Sequence, residues 1–374
     1  MGATTLETRY GEAQAWPADL GVDASCVVCV GTNIPIELIT ASGFRAVPLV
    51  ARPVAATPRA DDLLESGYGA EFRSVLEQLL SGAADSAALV VFDRRFRDLY
   101  YYLKETVRLG WTPSLPPLHV FDLLLSRSVD CSAYNREQLR LLAAQLERSG
   151  GAAGPARLTG AIEAANAWRA SVRTVLAQRR RGAGSGTAVF RALGAARVLD
   201  RESHRVQLDA LHTVMAGTPA AASSGRPRIA LFAAETLYHD RLHTAVESAG
   251  TVVVDEDSEW GSRLAGSDVD PGTDPAAALL AKYWADATGR ELRPFDARSA
   301  FLRSVVDDAA APDLVVVHVP PSDTRFGWDV PAMVRMCDAA GVPVAIVRSD
   351  VLIDDGHAEA TTTVARALDR RAAG

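Results

Sequence analysis

The feature that most constrains the fold is a recurring alternation of short β-branched runs with longer segments of helical periodicity. Turn residues bound each β-branched run, which is the pattern of a parallel sheet covered by helices. The sequence therefore predicts an α/β protein with two doubly wound (Rossmann- or flavodoxin-like) parallel-sheet halves. The predicted strands are Ser25–Gly31, Ala46–Ala51, Ala87–Asp93 and Leu118–Asp122 in the first half, and Arg228–Ala233, Thr251–Asp255, Leu314–Val319 and Val344–Arg348 in the second.

Helical segments separate these strands, and a strand-poor stretch from Tyr134 to Met215 predicts a helical middle segment. At 374 residues the chain exceeds the size at which one core usually keeps growing. We expect an N-terminal α/β domain over residues 1–130, a helical linker region over 131–225 and a C-terminal α/β domain over 226–374. The predicted helices of the halves are Pro35–Ser42, Asp61–Leu80, Arg95–Leu109, Tyr238–Ala249, Ala297–Asp308, Pro331–Ala340 and Thr361–Arg371.

Composition excludes some classes of partner. A net charge of -7 and a pI near 5.6 argue against nucleic acid, because nucleic-acid binders carry a clustered basic excess. No apolar run reaches the ~18 residues of a membrane span, and the first residues lack the pattern of a signal peptide. We expect a cytoplasmic protein without a membrane partner. The basic run Arg179–Arg181 is predicted as a solvated helix end.

Cysteine usage indicates reduced thiols. Cys26 and Cys29 have the Cys-x-x-Cys spacing, but they fall inside a predicted strand, where residues three apart point to opposite faces. They therefore cannot converge on one ion, and burial in the core is the expected role of both. Cys131 precedes a predicted helix and Cys337 lies within one, so no metal site is predicted from the four cysteines.

Loops that follow the strands are the expected position of a functional site, because open α/β sheets bind ligands beyond the carboxyl ends of their strands. These loops carry Thr32 and Asn33, the turn with Arg94 and Arg95, the acidic run at Asp255 and Glu256, and a loop with His318, Ser322 and Arg325.

Each of these candidates has a structural alternative. The arginines after Asp93 could hold a phosphate or carboxylate, or they could pair with nearby acids while Asp93 caps the turn. Asp255 and Glu256 could bind a cation or transfer protons, or they could face water. His239 and His243 could bind zinc or lie on an amphipathic surface. No Walker, Gly-x-Gly-x-x-Gly or Gly-x-Ser-x-Gly motif is present.

Three ordered motifs carry a resemblance that spans most of the chain. The stretch Gly31-Thr-Asn-Ile-Pro-Ile-Glu-Leu-Ile-Thr-Ala-Ser-Gly43 is similar to the Cys-x-x-Val-Pro-x-Glu-Leu-x-x-Ala-x-Gly motif of the 2-hydroxyacyl-CoA dehydratase and benzoyl-CoA reductase subunit family (D-component). The segment from Ser248 to Arg263 resembles the family's Gly-x-x-Val-Val-x-Asp-Glu motif and the Gly-x-Arg that follows it. The segment from Ala340 to Asp350 resembles its Gly-Ile-Pro strand.

The resemblance implies a [4Fe-4S] cluster held by thiolates from both halves, used to pass an electron to a CoA thioester. The three implied ligand positions fall at Gly31, near Asp93–Arg95 and after Val319, and none of them holds a cysteine. In the last helix, Thr363 and Ala365 stand where the family has Arg and Glu. We therefore expect a divergent member without the cluster, and no other cofactor is predicted.

The leading interpretation is an enzyme or enzyme subunit that acts on a small acidic or acyl substrate in the cleft between the halves. Asp255, His318 and Glu37 are the candidate catalytic residues. The candidate substrate-binding residues are Thr32, Asn33, Arg94, Arg95, Glu256, Ser322 and Arg325.

Two alternatives stay open. The chain could be a non-catalytic partner or scaffold subunit of a dehydratase-like heterodimer. As for partners, we expect the protein to form a homodimer or a heterodimer with a homologous subunit. A two-domain glycosyltransferase is a weaker third possibility.

Overall fold

Two four-stranded parallel sheets organise the computed structural model of the chain. Central strands of both sheets are rich in Val and are buried on both faces, as strands covered by helices on both sides must be. The structure describes residues 2–14, 21–52, 56–112, 115–217, 225–233, 239–285, 295–321, 323, 325–349 and 356–373. The strands are β1 (Cys26–Val30), β2 (Arg45–Leu49), β3 (Leu89–Asp93), β4 (Leu118–Phe121), β5 (Arg228–Ala233), β6 (Val252–Asp257), β7 (Leu314–His318) and β8 (Val344–Val347).

Both sheets have the same strand order. The first is β2-β1-β3-β4 and the second is β6-β5-β7-β8. Val28 of β1 pairs with Val47 of β2 and with Val90 of β3, so the chain crosses over on opposite sides of β1. A crevice forms at such a reversal, beyond the carboxyl ends of the strands. The prediction of two parallel-sheet halves is confirmed, and its finer description as doubly wound stays a prediction.

Helices cover the sheets and fill the middle of the chain. None of the described helices combines the length and the apolar character that crossing a membrane requires. The helices are α1 (Gly2–Gln14), α2 (Ile36–Ala41), α3 (Pro58–Leu63), α4 (Ala70–Leu80), α5 (Arg97–Arg108), α6 (Val129–Arg148), α7 (Pro155–Arg180), α8 (Gly186–Gly194), α9 (Arg201–Gly217), α10 (Arg241–Ser248), α11 (Ser262–Ala265), α12 (Pro275–Ala285), α13 (Phe295–Val306), α14 (Val330–Ala339) and α15 (Gly356–Ala373).

The helix predictions need three corrections. The single helix expected over Asp61–Leu80 is wrong, because Leu64 takes an extended conformation and Gly69 begins a new helix. The structure also contains α1 and α12, which the sequence pattern did not identify. The second of these matters most, because α12 brings side chains to the candidate site described below.

Alternation along β1 distributes its side chains between two cores. Val28 and Val30 belong to an apolar cluster that also contains Leu231 of β5, so one core includes side chains from both sheets. Val27 and Cys29 face a second cluster formed with α2, α6, α7 and α12. The expected burial of Cys26 and Cys29 on opposite faces is confirmed.

The long helix α7 joins the two halves. It contacts α2 in the first half, and it also contacts β6 and α11 in the second. Its last residues abut the break that leads into α8, whose first residue Gly186 packs directly on β6. A Cβ added at Gly186 would overlap the carbonyl oxygen of Val253.

We predict that Gly186→Ala lowers the free energy of unfolding by about 2–3 kcal/mol, because backbone atoms of β6 cannot move aside for the added methyl group. Gly160 is the matched control, because it lies inside α7 with open space around its Cα. Gly160→Ala should stabilise the protein by up to ~1 kcal/mol through helix propensity. Urea denaturation measures both, and equal effects of the two variants would contradict the packing of α8 on β6.

Candidate functional site

A cavity of about 90 Å³ lies where β1 and the loop after β6 approach the helical middle segment. Its wall combines cationic, apolar and hydroxyl side chains from both halves. The lining residues are Cys29, Gly31, Thr32, Ile36, Pro48, Arg169, Arg201, Glu259, Trp260, Arg263, Leu264, Lys282 and Tyr283.

Glu37 is the buried anion beneath this cavity. Its Oε1 accepts a hydrogen bond from Arg169 Nη2 and lies 3.5 Å from Arg201 Nη1. Its Oε2 accepts a hydrogen bond of 2.7 Å from the Tyr283 hydroxyl. Burial by itself would raise the pKa of Glu37, but the positive charges of Arg201 and Arg169 outweigh it and lower the pKa to about 2. Glu37 is therefore a carboxylate that fixes the cationic side chains of the cavity.

Helix α12 supplies cavity residues that the sequence analysis did not identify, as do α7 with Arg169 and α9 with Arg201. Tyr283 is buried, and its pKa is raised by burial and by the adjacent Glu37 carboxylate, so the hydroxyl stays protonated. Lys282 Nζ lies 5.0 Å from the centre of the Tyr283 ring. The signal for this helix was the alanine- and leucine-rich run from Pro275 to Ala285, with proline in its first turn.

Asp93 occupies the space beside Gly31. Gly31 has a φ of 106°, which favours glycine, and a Cβ added there would overlap the Asp93 carboxyl group. Asp93 Oδ2 accepts hydrogen bonds from the backbone N–H groups of Thr32 at 3.0 Å and Asn33 at 3.1 Å. Its Oδ1 accepts one from the Arg95 N–H at 3.0 Å. Burial raises the pKa of Asp93 to about 6.

The arginines after Asp93 follow the second of their two predicted alternatives. Arg94 forms an ion pair with Asp122, with 2.6 Å between Nη1 and Oδ1. Buried Arg95 pairs with Glu71, and its Nη1 lies 3.9 Å from Glu259 Oε1. Arg95 thus connects the first half to a carboxylate of the second half that lines the cavity. The substrate-binding roles of both arginines stay predictions.

A second buried ionic cluster lies in the second half. The Glu256 carboxylate accepts a hydrogen bond from Arg179, and its Oε2 lies 2.6 Å from His243 Nε2. Burial opposes ionisation of Glu256, but Arg179 and His243 lower its pKa well below the usual range. The expected solvated position of Arg179 is wrong, because it pairs with Glu256 inside the protein. His239 and His243 are also buried, so the predicted surface position is wrong for both.

The remaining predicted site residues that the structure describes are not among the residues lining the cavity. Asp255 is buried in β6, and burial raises its pKa. His318 ends β7 fully buried, with Nε2 2.8 Å from the carbonyl oxygen of Ser349. Arg325 is exposed on the loop after β7, and Ser322 lies outside the described residues. Their proposed roles stay predictions.

The structure thus brings together part of the predicted site. Thr32 lines the cavity directly, Glu37 holds two lining arginines from below, and Arg95 reaches it through Glu259.

The cysteines do not fit the cluster that the family resemblance implies. Cys26 and Cys29 lie on opposite faces of β1. Cys337 belongs to an apolar cluster of the second half, and Cys131 lies in the first turn of α6. Across the described ranges, no three histidine, cysteine or acidic side chains form a group that could hold a metal ion.

Removing the buried charge tests the role of Glu37. We predict that Glu37→Gln lowers the free energy of unfolding by about 3–5 kcal/mol at pH 7, because it leaves buried Arg169 without its counter-charge. The folded pKa near 2 lies below the ordinary 4.5, so this stabilisation is present above pH 4.5 and is lost as the pH falls toward 2. The difference between the two proteins in urea denaturation should shrink over that range. Glu137→Gln, at an exposed ion pair on α6, should leave the stability close to that of the wild type.

Comparison with known proteins agrees with the motifs in the sequence. The family model for the 2-hydroxyglutaryl-CoA dehydratase D-component matches residues 31–365, which include the strands β2 to β8 and the helical middle segment. A search of curated proteins found no match. The match covers most of the chain and begins at Gly31, beside the cavity. The chain therefore belongs to the 2-hydroxyglutaryl-CoA dehydratase D-component family.

Proposed function

We propose that this chain is an enzyme, or an enzyme subunit, that binds a small acidic or acyl substrate in the cavity between its halves and works without iron–sulfur redox chemistry. One observation carries the proposal: Arg169, Arg201, Arg263 and Lys282 line a single small cavity, and Glu259 is the carboxylate among its lining residues. Cationic groups held together in a partly desolvated site favour an anionic ligand.

The three arginines of the cationic wall are already anchored by buried acids. Arg169 and Arg201 share the Glu37 carboxylate, and Arg263 Nε lies 3.1 Å from Asp257 Oδ1. Arg201 also stacks on Trp168, with its guanidinium carbon 5.0 Å from the ring centre. Anchored donors need little reorganisation to meet a ligand, so they can recognise a carboxylate or stabilise charge on a carbonyl oxygen.

The apolar part of the wall supports a substrate that has a carbon skeleton beside its charge. Ile36, Pro48, Leu264 and Trp260 contribute apolar surface to the same cavity. A site that combines a few fixed polar groups with apolar walls is typical for small organic ligands. An acyl group or a small carboxylic acid has this combination of charge and apolar surface, whereas an inorganic anion would use the cationic part alone.

Glu259 is our candidate for non-redox proton transfer in the cavity. Glu259 lines the cavity as a carboxylate and is better placed to act as a base than Asp255 or His318, which lie outside the wall. The Tyr283 hydroxyl is held by Glu37 and carries its proton at neutral pH. We propose that Glu259 accepts a substrate proton while the arginines and Lys282 stabilise the negative charge that develops on a carbonyl oxygen.

The cluster-free part of the proposal rests on two observations. The Asp93 carboxyl group fills the space into which a side chain at Gly31 would project. Cys26 and Cys29, the nearest pair in sequence, point to opposite sides of β1. A change of chemistry from electron transfer to electrostatic catalysis accounts for both.

The second candidate function, a non-catalytic subunit that supports a homologous partner, is favoured by a different feature. Tyr101, Leu125, Val129 and Tyr134 are exposed large apolar side chains on α5, α6 and the loop between β4 and α6. They flank β4, which is an edge strand of the first sheet. Exposed apolar residues beside a sheet edge are typical of a surface that associates with another chain.

Ligand binding tests the leading proposal. We predict that malonate binds the purified chain and that Lys282→Met weakens this binding at least about tenfold, because a charge-assisted contact is lost. Lys104→Met, at an exposed position on α5, is the matched control and should bind malonate as the wild type does. Isothermal titration calorimetry with malonate and with acetyl-CoA measures both classes of ligand. Absence of binding by the lone chain, with binding or activity after a homologous subunit is added, would instead support the second candidate.

A further inference from the structure

The side chain of Asp93 lies against the backbone of Gly31. The side chain beside the first residue of the β1–α2 loop comes from a neighbouring strand, because Asp93 ends β3. The Asp93 carboxyl is 2 % exposed, and it gathers three backbone N–H donors from two separate segments. Proteins bind anions with converging backbone N–H groups of this kind. Here the anion is the carboxylate of Asp93 itself.

We propose that Asp93 is a positioning residue: its carboxylate is a built-in anion that holds the loop of residues 31–33 where Thr32 can line the cavity. The geometry supplies the reason. Thr32 and Asn33 both donate to Asp93 Oδ2, so a single oxygen fixes two successive peptide groups. Arg95 donates to the other oxygen and ties the same carboxylate to the start of the next turn.

A carboxylate suits this position better than a neutral side chain. Backbone N–H groups are donors, so an amide such as asparagine would present one acceptor oxygen and one competing NH₂ group. Charged side chains that act on Asp93 include Glu259 from the second half and Arg95 from its own segment. Because Arg95 also approaches Glu259, displacement of Asp93 should disturb the cavity wall on both sides of the cleft.

Chemical rescue tests this role without knowledge of the natural substrate. Asp93→Ala removes the carboxylate and leaves a space of about its size beside the three N–H groups that donated to it. We expect the melting temperature of the variant to fall by roughly 5 °C or more. Formate at 100 mM should restore at least half of that loss, whereas the same concentration of chloride should not. Wild-type protein should gain less from formate than the variant does.

Asp93→Asn is the matched control, because it keeps the volume of the side chain and leaves no space for formate. Asp93→Asn should be less stable than the wild type, and formate should not restore its stability. Equal responses to formate in all three proteins would overturn the proposal, and so would an Asp93→Ala variant as stable as the wild type. If Asp93→Ala does not fold in chloride, its folding yield in formate becomes the measurement, and no gain in yield would also overturn the proposal.

A second readout depends on the proposed function and separates positioning from stability. In wild-type protein, formate should leave malonate affinity unchanged or weaken it by competition. In Asp93→Ala, formate should strengthen malonate binding, because it returns Thr32 to the cavity wall. Weaker malonate binding by Asp93→Ala in the presence of formate would contradict the positioning role. If neither protein binds malonate, the proposed function fails, and the stability experiment still decides the role of Asp93.

Discussion

The buried carboxylate of Glu37 is the interaction on which the candidate site depends. It receives an arginine from α7, lies close to an arginine from α9, and accepts a hydrogen bond from a tyrosine of α12. Removing the Glu37 carboxylate and the Arg169 guanidinium from water is costly, and the cost is offset when each charge keeps its partners. Four segments far apart in sequence are thereby held around one point, and the cavity is the space left above it.

Helix α7 forms a buried ion pair of this kind with each half of the protein. Arg169 enters the first half to reach Glu37, and Arg179 enters the second half to reach Glu256. Ten residues of helix separate them, which is about 15 Å. A helix that carries two buried arginines to two buried acids acts as a strut between the halves. The cavity lies beside this strut, so its cationic character follows from how the halves are joined.

The sequence was sufficient for the sheets and insufficient for the site. All the predicted strands are confirmed, because β-branched runs between turn residues are a local signal. The tyrosine that bonds Glu37 lies 246 residues away from it, on a helix whose pattern was not identified. The sequence showed that Gly31 is not cysteine, but it could not show that Asp93 fills the space beside it, since that depends on the pairing of β1 with β3. Burial of Arg179 and His243 likewise depends on their contacts with Glu256, which is distant in sequence from Arg179. A basic run and a histidine spacing do not reveal such contacts.

We propose that this member of the dehydratase family uses an electrostatic cavity in place of an iron–sulfur centre. Iron and acid-labile sulfide content of the chain, purified and analysed without oxygen, tests it most directly. We predict a colourless protein with far less than one iron per chain. A brown protein with about four irons and four sulfides per chain, the content of a [4Fe-4S] cluster, would contradict the claim.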